Sequence, residues 1–432
     1  MIPEGSPALS MKRPCFPVEA SVYGIDDAGY SWDSHSRTNL ESEGFHPYYD
    51  LSQSWYDHFP DGTDLSVLKP SGGEVSPELY PVDDGQLSQY VDDFLAGEDE
   101  DSGVFQKMLG ALLFKSRDDD QDIGRYVGSD WVGVNDPPDK DGVYRYYSSQ
   151  VSYVETMVSN SEQTMLKLGG KPLREAETPS LANDSATCPE IDEAPGVFGD
   201  VAASIVCALL YVARCTRFEI LFAVCRMTRY TTKWTKRQDM WLYRCLGYLK
   251  KYPNFVLHFI ICPSEFEEGG DVVFRNWADT DLAGDKDTRR STSGGCGMFV
   301  GSKTRAAVHA YCKRQGHVGA STPDTETVGL IVLGKRSIPL HMISQRSLKR
   351  RVRNQFLGDN DPAARVVGTG VSSQLAYMKR TAAISLAWAK QNMAEELDRV
   401  PTNENLADLF TKPLEAAKFH EFRLQLGIDN AQ

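Results

Sequence analysis

The period of the apolar pattern changes at Pro253, and this change points to a helical block followed by a part that alternates strands with helices. Within 201–252, Leu209, Leu210, Tyr211, Leu221, Phe222 and Val224, then Trp241, Leu242, Leu246, Tyr248 and Leu249, recur near a helical period. Two or three packed helices are expected there. Beyond Pro253, Phe255-Val256-Leu257-His258-Phe259-Ile260-Ile261 and Val272-Val273-Phe274 are β-branched or aromatic runs bounded by turn formers, which is a strand signature. Strand-like and helical stretches then alternate to the end, so the rest of the chain reads as an α/β domain.

A chain of 432 residues exceeds the size at which one hydrophobic core keeps growing, so two or three domains are expected. Residues 1–20 and 60–85 are rich in Pro, Gly, Ser and acid and read as loop. Between them, Tyr30, Trp32, Leu40 and Phe45 fit one face of a helix over 29–44 ended by Gly44. Residues 176–198, with Pro179, Pro189 and Pro195, have the composition of a linker. A fragment from about Asp271 onward is expected to fold by itself, because the linker and the helices lie outside it.

The net charge of −14 is uneven: residues 1–120 hold about 24 acids against about 7 bases, net about −17, which leaves about +3 for the remainder. The acidic part would repel a polyanion unless divalent cations intervene. The run Lys349, Arg350, Arg351 and Arg353 suits phosphate contact or simple solvation. Nine cysteines at irregular spacing show neither metal-ligand pairs nor a disulfide framework, so reduced thiols and an intracellular, cytoplasmic or nuclear protein are expected. The longest apolar run, 201–213, is too short to span a bilayer, and no membrane partner is expected.

Carboxylates supply the chemistry. Tyr90-Val91-Asp92-Asp93 places Asp92 and Asp93 where an apolar strand turns back, which is either an acidic turn or part of a two-cation site for nucleotide polymerisation. Four further acids stand in separate elements: Asp279 after an apolar strand, Glu326 at a helix start behind Ser321-Thr322-Pro323, Asp359 after Phe356-Leu357, and Asp408 in Asn405-Leu406-Ala407-Asp408.

These segments resemble, in order, the reverse transcriptase and ribonuclease H parts of a copia-type retrotransposon Pol polyprotein. Tyr23-Gly24-Ile25-Asp26-Asp27-Ala28-Gly29 with Trp32 and Glu43-Gly44-Phe45 is similar to the family's YGLKDAP…W…GF segment, and residues 90–93 to its YVDD box. Ile123-Gly124-Arg125-Tyr126-Val127-Gly128 resembles its FLG strand, and Leu209-Leu210-Tyr211-Val212-Ala213-Arg214-Cys215-Thr216-Arg217 its LMYA…CTRPDI helices. Trp277-Ala278-Asp279-Thr280-Asp281-Leu282-Ala283-Gly284-Asp285 with Arg290-Ser291-Thr292-Ser293-Gly294 is similar to SDADWAGD…RSTSG. Ser321-Thr322-Pro323-Asp324-Thr325-Glu326 matches STPEAE, and Asp359-Asn360 matches EDN. Glu404-Asn405-Leu406-Ala407-Asp408-Leu409-Phe410-Thr411-Lys412-Pro413-Leu414 matches ENLADIFTKPL, while Lys313-Arg314-Gln315 resembles the family's KRQ.

The resemblance implies an α/β and α+β multidomain chain. It would comprise a partial reverse transcriptase palm over 21–175, a helical connection over 199–265, a ribonuclease H-like mixed sheet with flanking helices over 266–418, and a tail over 419–432. It also implies Mg²⁺ or Mn²⁺ as cofactor, an RNA–DNA hybrid or other nucleic acid as partner alongside other parts of a retroelement polyprotein, and metal ligation by Asp279, Glu326, Asp359 and Asp408. Asp408 would approach from a C-terminal helix. The family's first polymerase aspartate, on a strand ahead of the YGLKDAP segment, has no match before Tyr23, so RNA-directed DNA synthesis is not expected of Asp92 and Asp93 alone. Where the family carries histidine in RHLKRTHGI, Ala376-Tyr377-Met378-Lys379-Arg380-Thr381-Ala382-Ala383-Ile384 has none. The expected activity is therefore Mg²⁺-dependent hydrolysis of RNA in a hybrid; the other reading is a catalytically silent nucleic-acid-binding relic of a decayed element.

Overall fold

The computed structural model describes residues 85–90, 93–98, 124–126, 128–134, 136–181, 188–285, 287–348, 351–372 and 385–431. They fall into two units divided after Asp122. In the first, β1 (Gly85–Tyr90) and β2 (Asp93–Glu98) form an antiparallel pair with Tyr90 opposite Asp93. The chain thus turns back on itself at Tyr-Val-Asp-Asp. Asp92 lies outside the described residues, as do the helix expected over 29–44, the motif residues at 23–45 and the segment 376–384.

The second unit opens on a meander of β3 (Arg125–Tyr126), β4 (Ser129–Val132) and β5 (Tyr144–Ser149), followed by four longer helices and a single turn of helix at Pro189–Asp192. The four longer ones are α1 (Val151–Lys167), α2 (Gly199–Cys215), α3 (Leu221–Thr228) and α4 (Lys236–Lys251). The period seen in the sequence is that of buried stripes, such as Leu242, Cys245, Leu246 and Leu249 on α4. A capping box fixes the start of α4: Thr235 accepts from the Arg237 amide, and the Gln238 side chain accepts from the Thr235 amide at 2.9 Å. Lys250 and Lys251 sit in its last turn, where cations oppose the negative end of the helix dipole.

After β6 (Phe255–Ile261) come β7 (Val273–Asp281), β8 (Thr292–Val300) and β9 (Arg305–Arg314). The long α5 (Thr322–Ser347) leads to β10 (Arg353–Gly358), α6 (Asp361–Thr369), α7 (Leu386–Met393) and β11 (Leu397–Arg399). A 3₁₀ turn (Leu406–Phe410), α8 (Ala416–Gln425) and β12 (Ile428–Asn430) complete the unit.

One mixed sheet runs through both halves in the order β11-β10-β7-β8-β9-β6-β5-β4-β3, with β12 paired to β6. β7, β8 and β9 form an antiparallel meander, while β10 and β11 are parallel to β7 and to each other. No helix among the described residues is long and apolar enough to cross a membrane.

Two features differ from the sequence reading. The stretch expected to be a linker is tied down in its described parts: the Ala176 amide donates to Gly247 O on α4, Arg244 donates to Thr178 O, and Asp239 accepts from the amides of Val197 and Phe198. The expected tail at 419–432 is helix and strand, with Phe419, Phe422, Leu426 and Ile428 buried. In β10 the exposed side chain of Arg353 pairs with Glu396 and Asp398, while Phe356 and Leu357 supply the core.

The largest core is shared across the expected domain boundary. It joins Val154, Leu209, Leu242 and Leu246 of the helices to Cys296, Met298 and Ala307 of the sheet and to Leu406, Leu409 and Phe410 near the C-terminus. A second core lies on α5, with Val328, Leu330, Ile331 and Leu333 packed against Ala278, Phe356, Ala363 and Val367.

Candidate metal centre

The site forms where β10 ends beside its parallel neighbour β7, which runs on to Asp281. Trp277 of β7 is in register with Leu357 of β10, so two residues further on the chain delivers Asp279 and Asp359 to neighbouring positions. Asn360, next to Asp359, caps α6 by accepting from the Ala363 amide, and Pro362 occupies the first turn, where its missing N–H is no loss. The end of β10 is therefore fixed by the helix that follows it.

Glu326 enters from the first turns of α5. Glycine at 329 allows that helix to lie close to β7, since a Cβ there would stand 2.4 Å from the Thr280 hydroxyl. Thr280 donates to Thr325 O at 3.2 Å, and Gln315 bridges the Ser293 hydroxyl and Thr325 O at 2.8 and 2.9 Å. Gln315, Ser293 and Thr280 thus hold the helix start against the sheet, giving the KRQ and RSTSG residues a positioning role. Oxygens of Asp279, Glu326 and Asp359 converge to within 4.8 Å of one another, and Asp279 and Glu326 are buried.

Asp408 arrives on the 3₁₀ turn rather than on an α-helix. Asn405 anchors that turn by donating to Ala278 O at 2.9 Å, one residue before Asp279, while its carbonyl oxygen accepts from the Ala407 amide. Gly294, opposite Asp279 on β8, provides the space: a Cβ there would meet Phe410 Cβ and Thr411 Cγ2 at 2.7 Å. The Thr411 hydroxyl donates to the Asp279 carboxylate. Lys412 Nζ lies 2.8 Å from Asp408 Oδ1 and 3.7 Å from Asp279 Oδ2.

The carboxylates strain against one another. Burial, then the charges of Asp279 and Asp359, push Glu326 up to about 9. Burial and Asp279 push Asp408 up to about 7 against the pull of Lys412, and burial and Asp279 push Asp281 up to about 6. Asp279 is also raised, chiefly by burial, with Lys412 and Thr411 opposing. Burial works against the charge on Lys412, yet Asp279 and Asp408 hold it above the ordinary lysine value.

Hard oxygen donors gathered in this way suit a hard divalent cation such as Mg²⁺, whose charge reverses the mutual repulsion. Asp285, also in the DTDLAGD segment, has a different task. It accepts from Arg314 at 2.8 Å and from the amides of Asp287 and Thr288, and so ties the β7–β8 loop together.

A stability prediction follows for the metal-free protein. Each raised carboxyl retains in the fold a proton that the unfolded chain releases at the ordinary 3.8 (Asp) or 4.5 (Glu), so stability decreases as pH rises from there to the raised values of about 6 to 9. Glu326→Gln removes the largest part. At pH 7, which is 2.5 units above the ordinary 4.5, it should stabilise the protein by up to about 3 kcal/mol at 1.36 kcal/mol per unit. Thermal melts in EDTA from pH 5 to 9 check this, and an equal pH slope for wild type and variant would refute it.

Of the residues singled out in the sequence, Asp279, Glu326 and Asp359 come together and Asp408 joins them through Lys412. Asp93 belongs to the other unit. Sequence reasoning assigned no role to Thr411, Lys412 or Asp281. For Lys412 the signal was its place four residues after Asp408, within the best-matched motif.

No family model matches the chain. It is similar to a retrovirus-related Pol polyprotein from transposon TNT 1-94 of Nicotiana tabacum, with 24% identity over 432 residues that take in 99% of this chain and 29% of the relative. The chain therefore spans less than a third of that relative's length. Similarity over nearly the whole chain supports a retrotransposon Pol polyprotein, the relationship that its motifs imply.

Proposed function

We propose that the second unit is a ribonuclease H-type nuclease that hydrolyses the RNA strand of an RNA–DNA hybrid with Mg²⁺. The convergence of Asp279, Glu326 and Asp359 from three separate elements carries this reading. The sheet supports it: a three-stranded antiparallel meander joined through β7 to two parallel strands is the mixed sheet that the resemblance implies for 266–418.

Asp279, Glu326 and Asp359 would hold a cation, and Asp408 would complete the site from the far side of Asp279. Bound divalent cations supply activation of the attacking water and neutralise charge on the departing 3′ oxygen. The protein's part is orientation. Thr411 fixes one oxygen of Asp279, the Gln315–Ser293–Thr325 bridge fixes the start of α5, and Asn360 fixes the end of β10. Burial of Asp279 and Glu326 keeps the cluster's field from being screened by water.

Purified protein incubated with a 5′-labelled RNA–DNA hybrid is expected to cut the RNA with Mg²⁺ and not with EDTA. Hybrid binding without cleavage in Mg²⁺ or Mn²⁺ would overturn the proposal and favour the silent binding relic.

A further inference from the structure

Resting on that reading of the site, we propose that Lys412 is a built-in counter-ion filling the second cation position of the cluster, and that entry of a second divalent ion releases its ammonium for the phosphate of the nucleic acid. The cluster has two cation-holding faces that share Asp279. One is enclosed by Asp279, Glu326 and Asp359, whose oxygens lie within 4.8 Å of one another. The other lies between Asp279 and Asp408, and Lys412 Nζ stands there at 3.7 and 2.8 Å from the two carboxylates.

A first cation can enter the three-acid face while Lys412 keeps its nearer partner, Asp408, at 2.8 Å. A second cannot share Asp279 and Asp408 with an ammonium at hydrogen-bonding distance, because like charges that close repel strongly in a site where Asp279 is nearly inaccessible. Lys412 itself has somewhere to go: its side chain is 37% exposed, so the ammonium can swing out on its four-carbon stem. A displaced ammonium beside an ion-loaded cluster is placed to meet a phosphate, the one anionic group that the substrate brings.

The geometry also separates the fates of the two ions. The first should bind tightly and independently of Lys412. The second should bind weakly, because it must displace the ammonium, and removing that competitor should tighten it by about tenfold, which is about 1.4 kcal/mol.

Mn²⁺ titration followed by electron paramagnetic resonance tests this without any turnover. Wild type is expected to show one tight and one weak site. Lys412→Met should leave the tight site unchanged and strengthen the weak one about tenfold, whereas Lys412→Arg, which keeps the charge, should remain as the wild type. An unchanged weak site in Lys412→Met overturns the inference. Loss of both sites in Asp279→Asn keeps the metal centre standing if that happens, whereas normal binding in Asp279→Asn overturns the metal centre itself. A second readout needs no variant: acylation of Lys412 in wild type, followed by mass spectrometry, should speed up several-fold on going from one to two bound Mn²⁺, and an unchanged rate overturns release.

Discussion

Asp279→Asn, Glu326→Gln and Asp359→Asn are each expected to reduce cleavage of the RNA strand by about a thousandfold or more while leaving hybrid binding nearly intact. The three side chains come from β7, α5 and the end of β10, and each contributes oxygen to a space too small for the others to compensate. A cation at a developing charge is worth several kcal/mol of transition-state stabilisation. At about 1.4 kcal/mol per tenfold, losing it costs roughly three orders of magnitude. Binding is a separate matter, because it is dominated by basic residues and backbone contacts to phosphates and these substitutions remove none. Single-turnover cleavage and hybrid affinity measured side by side decide the point. Equal losses in both would mean that the acids shape a surface rather than hold a cation.

Asp408→Asn should be milder. Its carboxylate lies across Lys412 from the three-acid face, so its loss frees an ammonium as well as removing a ligand, and the two effects on local charge partly cancel.

The sequence made the ingredients of this site legible but not its tuning. Acids placed at a strand end, a helix start and a strand-to-helix turn are visible one at a time, because each carries a local signal: the apolar run before Asp279, the Ser-Thr-Pro before Glu326, the Asn cap after Asp359. Their convergence depends on parallel pairing of β7 with β10, which joins residues eighty apart, such as Trp277 and Leu357. No local pattern encodes that, and only the order of motifs pointed to it.

Lys412 was hidden for another reason. A lysine four residues after an aspartate reads as an ordinary surface pair, and only the Asn405 anchor to Ala278 O turns that pair inward onto Asp279. The linker reading rested on composition, since proline and acid are common in unstructured connections, but at its two described ends the amides of Ala176, Val197 and Phe198 are held by Gly247 and Asp239 of α4.

A fragment beginning at Asp271 should fail to melt cooperatively, whereas one spanning 123–432 should melt as a single unit. The sequence suggested the shorter boundary because the helical block and the α/β part differ in period. The core ignores that difference. Without residues before 271, β12 loses β6, its partner in the pairs Ile428↔Leu257 and Asn430↔Phe255, and β9 loses its neighbour on that side. Leu406, Leu409, Phe410, Phe419, Phe422 and Leu426, all buried against the helical block, would lose the surface that covers them. At about 1.5–3 kcal/mol for each large apolar side chain, six of them amount to roughly 9–18 kcal/mol, and typical domains are stable by only about 5–15 kcal/mol in all. Three of the six lie in the 3₁₀ turn that carries Asp408, so the loss would reach the metal centre first. Calorimetry and near-ultraviolet dichroism of the two fragments test this. A sharp transition in the 271–432 fragment, with Mn²⁺ binding retained, would show that the α5 core and the sheet suffice without the helices.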